Sequence, residues 1–262
     1  MSHVARKRFG QHFLVDTAVI DAIVAAIDPR EGEALVEIGP GLAALTDALL
    51  RRVRTLTAIE IDRDLAARLR SRYGERLALI EADVLGVDFA RLGAAQPLRV
   101  VGNLPYNISS PLLVHLLDAR ARVVDQHFML QKEVVERIVS PPGVSGYGRL
   151  GVLMQAFYEV ELLFEVPPGS FDPPPRVDSA VLRMLPRRDP PLVAPRVLSE
   201  LLAAAFGQRR KMLRNTLLPW LAQRGVDPGA LSPTDRPESV PVATYVELAG
   251  RLARAKGLAP PG

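Results

Sequence analysis

The sequence predicts an α/β fold: a mostly parallel sheet wound with helices, antiparallel strand added at one edge, and a small C-terminal helical domain. Three observations predict it. Short β-branched runs alternate with segments of helical period over roughly the first two thirds of the 262 residues. The first four runs stop at Gly39, Glu60, Asp83 and Asn103, which lie 21, 23 and 20 residues apart, one β-α step each. Right-handed crossovers then bring all four strand ends to one edge of the sheet, where open α/β folds bind ligands.

The elements follow in order. Met1 to Leu14 (MSHVARKRFGQHFL) has no regular period and reads as an arm, bounded at 1–15, whose Phe9, Phe13 and Leu14 need burial. Asp16 is placed to cap a helix carrying Val19, Ile20, Ile23, Val24 and Ile27, which Asp28-Pro29 ends. Ala34 to Ile38 is a buried-strand pattern that runs into a Gly39-Pro40-Gly41 turn and a helix. Thr55 to Ile61 and Leu77 to Ile80 are the next strands, with a helix over Asp62 to Arg72 between them. Arg99 to Gly102 and Gln126 to Gln131 are the fourth and fifth. Helices are expected at Lys132 to Val139 and Leu150 to Tyr158, then two strands, Leu162 to Val166 and Ser179 to Leu185, as a hairpin at the sheet edge. Proline-rich Pro186 to Pro195 is the natural boundary, so the α/β domain is set at 16–186 and the helical one at 187–262. Helices are expected there over Pro195 to Phe206, Arg210 to Gln223 and Val242 to Lys256.

Composition narrows the function classes. With 48% hydrophobic and 24% charged residues the chain can bury an ordinary core. No apolar run nears the ~20 residues of a membrane span, and the basic start lacks the pattern of a secretory signal. Zero cysteines exclude disulfides and thiolate metal sites, and four scattered histidines show no ligand spacing, so no metal is expected and a cytoplasmic protein is. Charge is uneven. Residues 187–262 hold 12 basic and 6 acidic residues, a balance of +6, whereas 1–186 hold 21 and 23, a balance of −2. A basic segment of this kind suits a polyanionic partner, or is an arginine-rich solvated surface.

The chemistry-bearing stretch is Asn103-Leu104-Pro105-Tyr106, at a strand end and free of acid, histidine or cysteine. Asn offers a carbonyl acceptor and Tyr a flat π-face, which together suit an exocyclic amino group on a planar ring, such as the adenine of a flipped nucleotide. The plainer reading is a turn in which Pro105 stops the strand and Tyr106 packs on the rim. Gly39-x-Gly41-x-x-Ala44 with an acid 21 residues on also meets the dinucleotide fingerprint. Glu60 can hold a ribose of NAD or of S-adenosylmethionine. Three features favour the sulfonium cofactor: it has no pyrophosphate to cradle, Asp83 adds an acceptor for an adenine amino group, and the Asn103 stretch has no role in hydride transfer. Gly39 and Gly41 also serve a tight turn, and Glu60 and Asp83 also suit helix caps.

The pieces Arg8 to Leu14, Glu37 to Gly41, Glu60 to Asp62, Glu81 to Asp83, Gly102 to Ser109, Met129 to Glu133, Tyr147 to Leu150, Phe171 to Ser179 and Phe206 to Lys211 stand in order along the chain. On them the sequence resembles the ribosomal RNA adenine N6,N6-dimethyltransferase family, in which leucine replaces the second residue of the Asn/Asp-Pro-Pro-aromatic sequence of enzymes that methylate amino nitrogens. The resemblance implies a Rossmann-like class I methyltransferase sheet with S-adenosyl-L-methionine as cofactor. His12, Leu14, Gly39, Gly41, Glu60, Asp83 and Asn103 would line its pocket. Glu60 would hold the ribose diol, Asp83 the adenine amino group, and the arm would act as a lid with Leu14 over the adenosine. Asn103 and the Leu104 carbonyl would accept from the target N6, beside Pro105, with Tyr106 on one face of the base and Phe171 on the other. Apart from the resemblance, the concentration of Arg209, Arg210, Lys211 and Arg214 on one expected helix makes them the candidates to meet RNA phosphates, or else a solvated helix end. Two departures are visible: His12 stands where many members have Asn, and Ala43 where Gly is frequent, which asks that φ at 43 be negative. The implied partner is small-subunit ribosomal RNA in a pre-ribosomal particle, methylated on two adjacent adenosines near its 3′ end by a monomer and coupled to late assembly. The rival readings are a non-catalytic nucleic-acid-binding assembly or transcription factor on the same scaffold, a large-subunit methylase of the resistance type, a DNA adenine methylase and an NAD-dependent reductase.

Overall fold

A computed structural model describes residues 12–208 and 211–258; most of the arm, with Phe9, lies outside them, as do Arg209 and Arg210. The chain forms two compact units. One takes the described part of 1–135 with 161–186, the other 136–160 with the described part of 187–262, so the segment 136–160 goes with the second unit.

The first unit is built on a sheet. Its strands are β2 (Ala34–Ile38), β3 (Leu56–Glu60), β4 (Leu77–Glu81), β5 (Leu98–Asn103), β6 (Val123–Gln131), β7 (Tyr158–Val166) and β9 (Ser179–Pro186), in the order β4-β3-β2-β5-β6-β9-β7. The pairs β2–β3, β3–β4, β2–β5 and β5–β6 are parallel and β6–β9 is antiparallel. The expected hairpin strands do lie at the edge, with β9 as the inner of the two. Val100, Val101, Ala58 and Phe128 are wholly buried, as a two-sided parallel sheet requires.

Helix α1 (Thr17–Ile27) starts where Asp16 accepts the backbone N–H groups of Ala18 and Val19, and buries Ile20, Ile23, Val24 and Ile27. It stops at Asp28 in the left-handed region, φ 46°. Helix α2 (Ala44–Leu49) follows the glycine turn, α3 (Arg63–Tyr73) is capped by Asp62, and α4 (Phe89–Leu92) is one turn. Helix α5 (Ser109–Leu116), which buries Leu112, Leu113 and Leu116, is not among the elements the sequence predicts. Its apolar residues run together around Pro111 and show no polar face to mark a period.

Two further differences concern the backbone. Ala43 has φ 74°, not the negative value expected. The turn from β2 to α2 places Gly39, Gly41 and Ala43 alternately in the left-handed region, and the Ala43 methyl, 1% exposed, is held by packing. Such a residue costs about 1–2 kcal/mol. The arm also gains structure: β1 (Phe13–Leu14) pairs antiparallel with β8 (Phe171–Asp172), matching Leu14 to Phe171.

In the second unit, α7 (Arg149–Phe157), α8 (Pro195–Phe206) and α10 (Val242–Ala255) pack together, while α6 (Lys132–Val139) leads into it from β6. The Phe206 ring packs against both Tyr147 and Tyr245 in the core. The Tyr147 hydroxyl donates to the Val240 carbonyl and that of Tyr245 to the Pro237 carbonyl, both at 2.8 Å. The helix expected over Arg210 to Gln223 is corrected to a 3-10 turn at Leu213–Asn215 and a short α9 (Leu217–Ala222). The cause is a competing set of acceptors: Leu213 N–H donates to Asp235 O and Arg214 N–H to Pro233 O, so neither serves a helix. Among the described residues no helix is long and apolar enough to cross a membrane, and no group of histidines and carboxylates is gathered as a metal site.

Candidate active site

At the carboxyl ends of β2, β3, β4 and β5 lies a cavity of about 310 Å³. It brings together His12, Leu14, Gly39, Gly41, Glu60, Asp83, Asn103, Leu104, Pro105 and Tyr106, and adds Glu37, Phe13, Leu42 and Ile61. Among the described residues lining it, none is lysine or arginine.

The floor is the glycine turn. Gly41 has φ 59°, which glycine adopts without strain, and a Cβ there would press on the Phe13 ring at 3.2 Å. Gly102 has a different reason: a Cβ would lie 2.5 Å from the Ile38 carbonyl oxygen, so only glycine lets β5 reach the end of β2.

Glu60 binds the turn to the end of β3. Its Oε2 accepts Gly41 N–H at 3.2 Å and its Oε1 accepts Asp62 N–H at 2.8 Å. Burial pushes its carboxyl up, the two N–H groups pull it back, and the net direction is upward. The capping of α3 falls to Asp62, whose Oδ1 takes Asp64 N–H. Asp83 is exposed on the cavity rim, and its Oδ1 caps the turn at Val84–Gly86 through Leu85 N–H at 3.0 Å.

Glu37 is the residue that sequence reasoning passes over. It is 2% exposed and lines the cavity, and its Oε2 accepts the Thr46 hydroxyl at 2.6 Å. Burial pushes it up to about 8, with Glu60 and Asp47 adding to the shift against Thr46. The available signal is an acid in the middle of a buried strand pattern. Raised above its unfolded value of 4.5, this carboxyl contributes stability that is full below pH 4.5 and lost as pH rises through 8. Glu37→Gln removes that loss. The wild type is therefore expected to fall behind the variant between pH 5 and 8 by roughly 1.4 kcal/mol per pH unit. Parallel curves of denaturant midpoint against pH would contradict it.

The opposite wall is the loop after β5. The Leu104 N–H donates to Met129 O at 3.1 Å and its side chain is 1% exposed, which seats the loop in the core. Asn103 is half-buried, and its Nδ2 donates to the His12 carbonyl at 3.1 Å. The Tyr106 hydroxyl meets Ser179 Oγ at 2.9 Å, and burial raises the phenol while that bond opposes the shift. The His12 ring lies alongside Tyr106, centroids 5.8 Å apart and planes inclined by 27°, with Nδ1 donating to Pro173 O at 2.8 Å.

Phe171, expected on the second face of a base, is 4% exposed, pairs with Leu14 and belongs to the hydrophobic cluster that includes Ile20 and Met129. It is not among the residues that line the cavity. Lys211 and Arg214 are exposed on the second unit, and Arg209 and Arg210 lie outside the described residues.

The family model for ribosomal RNA adenine dimethylases matches residues 2–233. The chain belongs to the ribosomal RNA adenine dimethylase family. A ribosomal RNA small subunit methyltransferase A from Leptothrix cholodnii is 61% identical over 250 residues, covering 95% of this chain and 92% of that protein. A dimethyladenosine transferase from Plasmodium falciparum superposes with a TM-score of 0.77 over 95% of this chain and 99% of that one, at 24% identity, a likeness of fold. The 23S rRNA methyltransferase ErmE superposes at 0.64 with 28% identity, over 92% of this chain and 99% of that one.

The dimethylase is thus a Rossmann-like class I enzyme that transfers methyl groups from S-adenosylmethionine to adenine of ribosomal RNA. The cavity fits that cofactor. A lining with Glu60 and Asp83 and no described cation suits a ligand carrying a sulfonium and an ammonium, and opposes the pyrophosphate of NAD.

Proposed function

We propose that the enzyme methylates the N6 of two adjacent adenosines near the 3′ end of small-subunit ribosomal RNA, giving N6,N6-dimethyladenosine. We further propose that it acts as a cytoplasmic monomer on a pre-ribosomal particle late in assembly. The observation that carries the site reading is the facing of two walls in one cavity: acidic groups at the ends of β2 to β4, and an amide with an aromatic ring at the end of β5. The small-subunit assignment draws on the name of the 61% identical relative.

In this reading Glu60 holds the ribose hydroxyls, Asp83 the cofactor's adenine amino group, and Leu14 and His12 close over them from the arm, with Gly39 and Gly41 allowing close approach. When bound, S-adenosylmethionine supplies an electrophilic methyl group on sulfur. Adenine N6 is a poor nucleophile because its lone pair is conjugated with the ring. Asn103 Oδ1 and the Leu104 carbonyl accept the two amino hydrogens, which favours a pyramidal nitrogen and stabilises the positive charge that develops on it. Pro105 fixes the bend between them, and Tyr106 stacks on the base, worth ~1–3 kcal/mol. The methylated nitrogen is acidic and loses its proton late, so no strong base is required.

Labelled methyl transfer to unmodified small and large subunits, followed by nuclease digestion, tests the proposal. Label confined to dimethyladenosine of the small-subunit RNA is expected; label in large-subunit RNA would place the enzyme with the resistance type. Lys211 and Arg214, with Arg209 and Arg210, are proposed to position RNA phosphates. Changing the four to Ala is expected to weaken filter binding and to flatten its log–log salt slope by roughly 0.7 for each phosphate no longer neutralised. An unchanged slope would remove these residues from the interface.

A further inference from the structure

The two working groups of the β5 loop are not held by the loop itself. Asn103 faces the main-chain carbonyl of His12, at 3.1 Å from Nδ2. A carbonyl can only accept, so whichever end of the amide meets it must be the NH₂. That fixes the amide's sense and leaves Oδ1 as the end available to the cavity. His12 is in turn secured by its ring, which donates to Pro173 O at 2.8 Å and lies alongside Tyr106. The Tyr106 ring has one end tied down as well, by Ser179 Oγ at 2.9 Å. Ser179 is fully buried at the start of β9, where it pairs with Gln131 of β6, so its hydroxyl is as fixed as the sheet.

We propose that Ser179 and His12 are positioning residues: the Ser179 hydroxyl sets the plane of the Tyr106 ring for base stacking, and the His12 carbonyl sets the Asn103 amide with its oxygen toward the target nitrogen. This rests on the reading of Asn103 and Tyr106 given above. Its consequence is that the arm does more than cover the cofactor. Only with residue 12 in place does the amide present an acceptor instead of a donor to the amine.

Ser179→Ala, Tyr106→Phe and the double variant test the first half. Each single change removes the same hydrogen bond from one side, so each is expected to lower kcat about tenfold, the rate equivalent of one such bond. The double variant should lose no more than either single. The dissociation constant for S-adenosylmethionine, read by calorimetry, should stay within about twofold throughout, which a general loosening of the fold would not leave unchanged. Losses that multiply in the double variant, or wild-type kcat in Tyr106→Phe, would overturn it. Tyr106→Phe serves alone if Ser179→Ala does not fold.

Asn103→Asp tests the second half. It keeps an oxygen toward the cavity and adds charge that favours a developing cation, but sets its other oxygen against the His12 carbonyl. It is expected to be as inactive as Asn103→Ala. An Asp variant within about tenfold of wild type would show that amide sense is irrelevant. Asn103→Ala and Tyr106→Ala separate the two levels: if either turns over normally, the site reading itself fails. If both are inactive while Tyr106→Phe and Asn103→Asp are normal, only the positioning roles fail.

Discussion

Asn103→Ala is expected to lower kcat at least about 10²–10³-fold, the cost of removing one preorganised partner from a charge that develops in the transition state. Cofactor affinity should remain within about tenfold, because Glu60, Asp83, the glycine turn and Leu14 line the cavity independently of this amide. The split follows from where the side chain sits. Asn103 is the last residue of β5, paired with Met129, and its neighbour Leu104 is locked into the core, so deleting the amide leaves the loop's path unchanged. Single-turnover methyl transfer with saturating S-adenosylmethionine reads the chemical step, and calorimetry reads the affinity. A near-normal rate constant would refute the assigned role.

The fold is legible in sequence where one period dominates. The cap of α1 is a single aspartate followed by an amphipathic run, and the strand ends recur at one β-α step, so both can be placed from residues alone, whereas α3 is capped by Asp62 and not by the Glu60 weighed for it. What escapes depends on long-range competition. Residues 210–214 have helix-forming side chains, yet the N–H groups of Leu213 and Arg214 are taken by Asp235 and Pro233, which no local pattern reveals. Ala43 looks free to take a negative φ until the turn is seen to alternate left-handed residues around it.

The cavity divides in the same way. Glycines, terminal acids and the Asn103 stretch mark themselves by type and spacing. Glu37 does not, because a buried acid becomes informative only once its partner, Thr46, nine residues on, is known to face it. Phe171 shows the converse. In sequence it is an aromatic in a proline-rich loop, and only the pairing of β8 with the arm shows that it packs beside Leu14.

At the end of the sheet away from the cavity, Arg99→Met is expected to cost about 3–5 kcal/mol of stability, the range for leaving a buried charge without its partner. Arg99 is 8% exposed and Asp125 6%. The guanidinium spans both Asp125 oxygens, at 3.0 Å from Nε and 2.6 Å from Nη2, reaches Glu33 at 2.7 Å, and donates to the carbonyls of Ile27 and Asp28 at the end of α1. Burial works against its charge, but the bonds to Asp125 and Glu33 outweigh it and raise its pKa further. The register of β5 against β6 shifts between Leu98 and Arg99, which is what brings Arg99 opposite Asp125. One planar fork therefore ties α1, β5 and β6 together, and a lysine, with a single point of charge, cannot span the same acceptors. Arg99→Lys should recover only part of the loss. Arg99→Met with Asp125→Leu should recover most of it, since the isolated carboxylate and not the missing attraction dominates the cost. Chemical denaturation of the three variants decides the matter: a single-variant loss under about 1 kcal/mol, or a double variant no better than Arg99→Met, would show that the network is not what holds this end of the sheet.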